Sequence, residues 1–249
     1  MDTRIIELKK TILEDNDKDA ERLREETGKE HFSYLNVMSS PGAGKTSTIL
    51  AVLRVLGDRL RCGVMEADID SAVDADTIRT AGYPCVQLHT GGMCHLDAQM
   101  SRQGIAALQR ELERECIKVQ GADSDAGKVR MDLVILENVG NLVCPAEFDT
   151  GADLNLVILS VPEGDDKPLK YPLMFEKADV IVLNKTDALP AFDFDMKQFE
   201  EYVRLRNQHA PIYPVSAKTG EGIAELADRI AEHVKGRTKG EENNGSARD

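Results

Sequence analysis

Along the chain, apolar positions fall into two kinds of segment that take turns. Short continuous apolar runs occupy 34–38, 62–65, 85–88, 131–136, 154–160, 179–183 and 212–215. Each is bounded by Gly, Pro or polar clusters, which reads as a buried strand. Between them lie stretches with helical spacing: 45–56, 76–80, 95–119, 196–206 and 223–234. In the third, Ile105, Leu108, Leu112 and Ile117 mark one apolar stripe. Gly57 closes the first of these helices, and Gly82 with Pro84 stops the second. A leading segment, 3–26, is rich in charge and carries Ile5, Ile6, Leu8, Ile12, Leu13 and Leu23 on a helical period, with Gly28 expected to end it. Strands that are apolar without alternation are those of a parallel sheet covered on both faces. Strands alternating with helices predict a doubly wound α/β architecture, with ligands at the carboxyl ends of the strands. The polar stretch 121–128 is expected to be a loop and the polar residues 236–249 a disordered tail. The expected organisation is therefore a helical extension (1–30), one α/β domain (31–235) and a tail (236–249).

The junction between the first strand and its helix carries chemistry. Ser39, Ser40, Pro41, Gly42, Ala43 and Gly44 precede Lys45-Thr46-Ser47, which open the helix. This is the strand–loop–helix layout of a P-loop, except that Ser39 stands where the pattern begins with Gly. Backbone N–H groups of Ser40, Gly42, Ala43, Gly44, Lys45, Thr46 and Ser47 and the helix N-terminus make an anion cradle. Lys45 reaches the terminal phosphates, and the Thr46 hydroxyl suits Mg²⁺. The fold class expected is thus a three-layer P-loop NTPase, with a mostly parallel central sheet flanked by helices.

Two later loops speak to the base. Asn184-Lys185-Thr186-Asp187 follows the run 179–183 and resembles the NKxD element of GTPases. A carboxylate at Asp187 accepts from both N1–H and N2–H₂ of guanine, donors that adenine does not present together. Lys185 covers the base with its stem, and Asn184 ties the loop together. Ser216-Ala217-Lys218 resembles the SAK element, whose Ala217 N–H would reach guanine O6. A site that pairs polar groups rejects ligands lacking them.

The length, 249 residues, suits one such domain with appendages. A net charge of −13 argues against nucleic acid as partner, since phosphate backbones are bound through surplus Lys and Arg. No apolar run reaches the roughly 18 residues of a membrane span. Five dispersed Cys without paired spacing fit a reducing, cytoplasmic setting.

The switch chemistry is expected at two strand ends. Glu137-Asn138-Val139-Gly140 stands where GTPases carry DxxG, with Glu137 in place of the Asp. Glu137 would serve Mg²⁺, and Gly140 would present its N–H to the γ-phosphate. Of Asp68, Asp70 and Asp74 after the second strand, Asp68 is the candidate for Mg²⁺ or water positioning; the bland reading, turn and cap residues, covers at least two of the three. Lys45, Asp68, Glu137 and Gly140 therefore form the expected hydrolytic set, with slow turnover because no catalytic Gln or arginine finger stands out. Thr90 to Ala98 (TGGMCHLDA) sets Cys94 beside His95, and Cys144 lies four residues beyond Gly140. Thiols and imidazole suit Ni²⁺ and Zn²⁺. Spacing alone leaves these residues between metal ligands and ordinary buried thiols. Cys62, Cys85 and Cys116 read as small hydrophobes.

Together SSPGAGKT, CHLDA, ENVGNLVCP, EGDD (163–166) and NKTD resemble HypB, the GTPase family that helps insert nickel into [NiFe] hydrogenase. The resemblance spans 34–234. It implies that Cys94, His95 and Cys144 form a Ni²⁺ or Zn²⁺ site near the nucleotide switches, at a homodimer interface that GTP favours. It also implies GTP/GDP with Mg²⁺, and HypA and the hydrogenase large subunit as partners. Some members carry an N-terminal Cys cluster or a His-rich tract. Here the first 33 residues hold no Cys and only His31, which disfavours a storage role. A urease-accessory-type GTPase, whose motif resembles CPH rather than CHLDA, and a nickel- or zinc-binding regulatory module are the alternatives.

Overall fold

A computed structural model describes residues 8–68, 73–120 and 130–245. In chain order the elements are α1 (Leu8–Lys29), β1 (Ser33–Ser39), α2 (Lys45–Leu56), β2 (Cys62–Asp68), α3 (Val73–Thr80), β3 (Cys85–His89) and α4 (Ala98–Gln120). They continue with β4 (Leu133–Glu137), α5 (Cys144–Glu147), β5 (Leu154–Ser160), α6 (Lys167–Lys170), α7 (Pro172–Glu176) and β6 (Val180–Asn184). The last are α8 (Met196–Arg204), β7 (Ile212–Pro214) and α9 (Ile223–Gly245). Seven strands form one sheet in the order β3-β2-β4-β1-β5-β6-β7, every pairing parallel. The expected fold class holds. The strand order reverses beside β1, so the loops after β1 and β4 open at the crevice where doubly wound sheets bind ligands.

Both faces of the sheet are buried, as the unalternating strands require. On one face Leu35, Val37, Val64, Ile135, Leu156 and Val182 pack under α2, α3 and α9. The opposite face is split. Tyr34, Met65, Val134 and Leu136 lie under α1 and α4, whereas Met38, Val157, Ile181 and Leu183 lie under α7 and α8. Among the described residues, no helix is long and apolar enough to cross a membrane.

Several boundaries depart from expectation for visible reasons. Gly28 does not end α1; the helix runs to Lys29, and His31, at φ 59°, makes the reversal into β1. Residues 3–7 of the expected leading helix, and the expected loop 121–128, lie outside the described residues. α4 starts at Ala98 rather than at 95, because the Asp97 side chain accepts from Met100 N (2.7 Å) and caps it there. Cys94 and His95 therefore stand on a loop. β2 continues past its apolar run to Asp68, with Glu66 in register beside Glu137 of β4. The expected disordered tail is corrected in part: α9 passes Gly236 and continues to Gly245. Arg237 anchors this extension by donating to Arg24 O (2.8 Å) and Thr27 Oγ1 (2.9 Å) and by pairing with Asp153. Gly236 by itself costs only about 1 kcal/mol inside such a helix.

Candidate functional site

The P-loop is built by β1 delivering a buried Ser39 to the sheet's carboxyl edge. Gly44 makes the turn into α2 at φ 93°, and a Cβ there would lie 2.5 Å from Asn184 Nδ2. Both the left-handed backbone and that approach require glycine. Ser39, the departure from the usual pattern, has a definite place: Lys45 Nζ donates to its Oγ at 3.1 Å. Ser40 donates to Glu163 Oε1, whose other oxygen accepts from Ser160 N and Oγ, both at 2.7 Å. One carboxylate thus ties the P-loop to the end of β5. Ala43 is buried, while Ser47 is exposed on the first turn of α2.

Lys45, Asp74, Glu137 and Gly140 line an open cleft of about 350 Å³ beside the loop. Glu137 is buried, and burial pushes its carboxyl up to about 7, against the opposing pull of the Thr46 hydroxyl and Lys45. Thr46 Oγ1 donates to Glu137 Oε1 at 2.8 Å, and Oε2 has no hydrogen-bond partner among the described residues. A buried carboxylate oxygen left open beside a hydroxyl is an oxygen donor set that fits Mg²⁺. Asp68 ends β2 on the neighbouring strand; its side chain, like Asp70, lies outside the described residues. Gly140 is pressed onto the P-loop, since a Cβ there would come within 3.2 Å of Pro41 Cα and N and 3.4 Å of Lys45 Nζ.

At the base end, Asn184 is buried and bridges the two loops. Its Nδ2 donates to Ala43 O (2.9 Å), and its Oδ1 accepts from Ala217 N (3.1 Å). Lys185 adopts φ 61° and donates to Gly42 O at 2.6 Å, so its stem runs over the P-loop. Asp187 accepts from Ser216 Oγ at 2.8 Å and faces Lys218 Nζ at 3.7 Å. P-loop, Asn184–Asp187 and Ser216–Lys218 converge on one edge of the sheet.

The cysteines divide sharply. Burial pushes the Cys62 and Cys85 thiols up to about 12, as suits inert core thiols. The Cys116 side chain lies outside the described residues. Cys94 and Cys144, by contrast, bring their sulfurs within 2.7 Å of each other across 50 residues of chain. Cys144 is raised by its hydrogen bond to Cys94 and is half-exposed at the first residue of α5. His95 Nδ1 lies 3.9 Å from Cys94 Sγ, but the ring is stacked on Phe148, with centroids 3.6 Å apart. Burial lowers its pKa, which keeps the imidazole in the neutral, ligating form. Among the described residues no group of three His, Cys, Asp or Glu side chains closes around one ion. The thiol pair is assembled; the histidine stands beside it.

Comparison with known proteins adds a lineage to this geometry. A family profile described as "CobW/HypB/UreG, nucleotide-binding domain" matches residues 33–214. The chain is 42% identical over 223 residues to the hydrogenase maturation factor HypB of Azotobacter vinelandii, covering 90% of this chain and 68% of that one. The chain belongs to the CobW/HypB/UreG family, in its HypB branch. Among solved structures, HypB from Helicobacter pylori in complex with nickel aligns at TM-score 0.77 and 35% identity, over 90% of this chain and 97% of that one. HypB from Archaeoglobus fulgidus aligns at 0.73 and 32%, over 88% and 98%.

Within this family framework, some site residues escaped the motif reading. Glu163 belongs to a quoted motif, yet its tie to Ser40 is visible only in three dimensions. Asn36, Asn138 and Asn155 form an amide ladder: Asn138 Nδ2 donates to Asn36 Oδ1, and Asn36 Nδ2 to Asn155 Oδ1, both at 3.1 Å. Asn138 Oδ1 in turn accepts from Val139 N at 2.8 Å, holding the 137–140 turn. A polar residue in the middle of an apolar strand run was the available signal for Asn36.

Proposed function

We propose that this chain is a GTP-hydrolysing metallochaperone that delivers nickel during [NiFe]-hydrogenase maturation. The observation that carries the reading is the position of Cys144. It meets Cys94 at 2.7 Å and lies four residues beyond Gly140, which packs on the P-loop. The nucleotide contact and one thiol of the pair are thus parts of one short segment, at most about 13–14 Å long when extended. Cys94, His95 and Cys144 are the nickel ligands in this proposal, and Zn²⁺ competes for the same thiolates. The family membership and the nickel complex of the Helicobacter relative support the assignment.

In the nucleotide half, Ser40 to Ser47 cradle the phosphates and Lys45 stabilises charge on the transferred phosphoryl. Thr46 and Glu137 would hold Mg²⁺, with Asp68 as the third candidate; the ion supplies positive charge to the phosphate oxygens. Asp187 reads guanine, Asn184 and Lys185 support it, and the Ser216–Lys218 loop closes on the base edge. Gly140 senses the γ-phosphate and moves Cys144. GTP then favours a homodimer with one thiolate arrangement, and hydrolysis releases the metal. HypA and the hydrogenase large subunit are the proposed partners, and the reduced thiols suit a cytoplasmic setting.

The test is nickel titration with GDP and with a nonhydrolysable GTP analogue, with dimerisation followed in parallel. Coupling between the sites is reciprocal at equilibrium, so nickel affinity must differ between the two states. Equal affinities, with a monomer in both, overturn the proposal.

A further inference from the structure

The two thiols come from segments that share no strand pairing at their meeting point: the turn before α4 and the start of α5. What holds those segments together lies on α1. Asn16 is buried (8% exposed) on a helix that is otherwise largely charged. Its Oδ1 accepts from Ala98 N at 3.0 Å, an N–H that the first turn of α4 leaves without an intrahelical partner. Its Nδ2 donates to Asp149 O at 2.9 Å, in the segment that leaves α5. One amide therefore joins the backbone four residues after Cys94 to the backbone five residues after Cys144.

Neighbouring contacts reinforce the same bridge. Asp19 Oδ2 accepts from Gln99 Nε2 at 2.8 Å on the α4 side. Arg24 donates to Ala152 O at 3.0 Å and pairs with Asp149 on the α5 side. A backbone partner fixes a segment's position, whereas a side-chain partner can swing with it. Asn16 uses two backbone partners, and it is the one buried amide on α1 among the described residues.

We propose that Asn16 is a positioning residue for the metal-ligand pair, and that α1 acts as the clamp setting the Cys94–Cys144 separation. The proposal rests on the nickel-ligand reading above. Groups that orient ligands without touching the metal typically carry about 10- to 100-fold of metal affinity. A misplaced thiol should therefore weaken nickel binding without touching the nucleotide.

The experiment uses the full chain with Asn16→Ala, and Arg102→Ala as control. Arg102 also holds α1 to α4, through Glu26 at 2.8 Å, but reaches neither thiol segment. Two readouts are taken on each protein. The first is Ni²⁺ affinity by competition with a chromophoric chelator, with the thiolate-to-nickel absorption band followed. The second needs no metal: the equilibrium between the Cys94–Cys144 thiol pair and its disulfide in a glutathione buffer. There two thiols lose two electrons and two protons, and one glutathione disulfide becomes two glutathione thiols. Asn16→Ala is expected to lower both nickel affinity and the pair's effective concentration by about tenfold. GDP affinity should stay at the wild-type value, and Arg102→Ala should change stability alone. Values for Asn16→Ala within twofold of wild type in both readouts, or equal losses in the Arg102→Ala control, overturn the clamp. If wild type itself shows no thiolate band, the nickel reading fails, and the glutathione equilibrium alone decides whether Asn16 sets the separation.

Discussion

The protonation of Glu137 makes the sharpest thermodynamic prediction. Its carboxyl rises from 4.5 to about 7 on folding, chiefly through burial. A group whose folded pKa is raised adds stability that is fully present below the unfolded value and is lost as pH climbs through the folded value. The window is therefore from about 4.5 to about 7. The rise from 4.5 to about 7, at about 1.4 kcal/mol for each tenfold in proton affinity, gives roughly 3.5 kcal/mol between the two ends. For a chain of this size that is a fall of roughly 7–14 °C in Tm. Glu137→Gln keeps the oxygen that accepts from Thr46 but cannot ionise, so the mutant should lack this fall and match or exceed the wild type at pH 8. Mg²⁺ with GDP should flatten the wild-type curve in the same way, since a cation beside Oε2 favours the charged form. The assay is thermal unfolding from pH 4 to 8, each protein with chelator and with Mg²⁺–GDP. Identical pH slopes in wild type and Glu137→Gln without Mg²⁺ would refute the reasoning.

Three further predictions follow from single contacts. Gly44→Ala places a Cβ 2.5 Å from Asn184 Nδ2 at φ 93°, so calorimetry should show GDP affinity falling at least tenfold, against a stability loss of only about 1–2 kcal/mol. Asp187→Asn replaces the double acceptor for guanine by a mixed donor and acceptor; GTP affinity should drop about 100-fold while xanthosine triphosphate gains, and unchanged GTP affinity would sink the guanine assignment. At Asp153, burial acts to raise the carboxyl, yet His233, Arg237 and Tyr34 N together hold it below the usual range. Its contribution is therefore present above about 3.9 and lost as pH falls further; Asp153→Asn should cost about 3 kcal/mol at neutral pH and give a shallower acid limb in urea titrations.

What the sequence determined by itself follows from local rules. Short unalternating apolar runs bounded by Gly, Pro or polar clusters read as strands covered on both faces, so the parallel sheet and its layers were legible in the chain. The P-loop layout and the 184–187 loop were legible for the same reason: each motif needs fixed residue types at fixed spacing along one short segment. Boundaries set by long-range partners were not legible. Gly236 reads as a stop, yet Arg237 finds Asp153, Arg24 and Thr27 and carries α9 onward. His95 reads as a helix start, yet Asp97 caps α4 two residues later.

The candidate metal centre divides along the same line. Cys94, His95 and Cys144 could be singled out from the chain, because soft ligands beside a switch are chemically conspicuous. That Cys94 and Cys144 meet, while His95 lies flat on Phe148, is decided by packing between segments 50 residues apart. Asn16 had no motif to announce it. Its importance comes from holding two backbones at once, and only the tertiary structure brings those backbones to one amide.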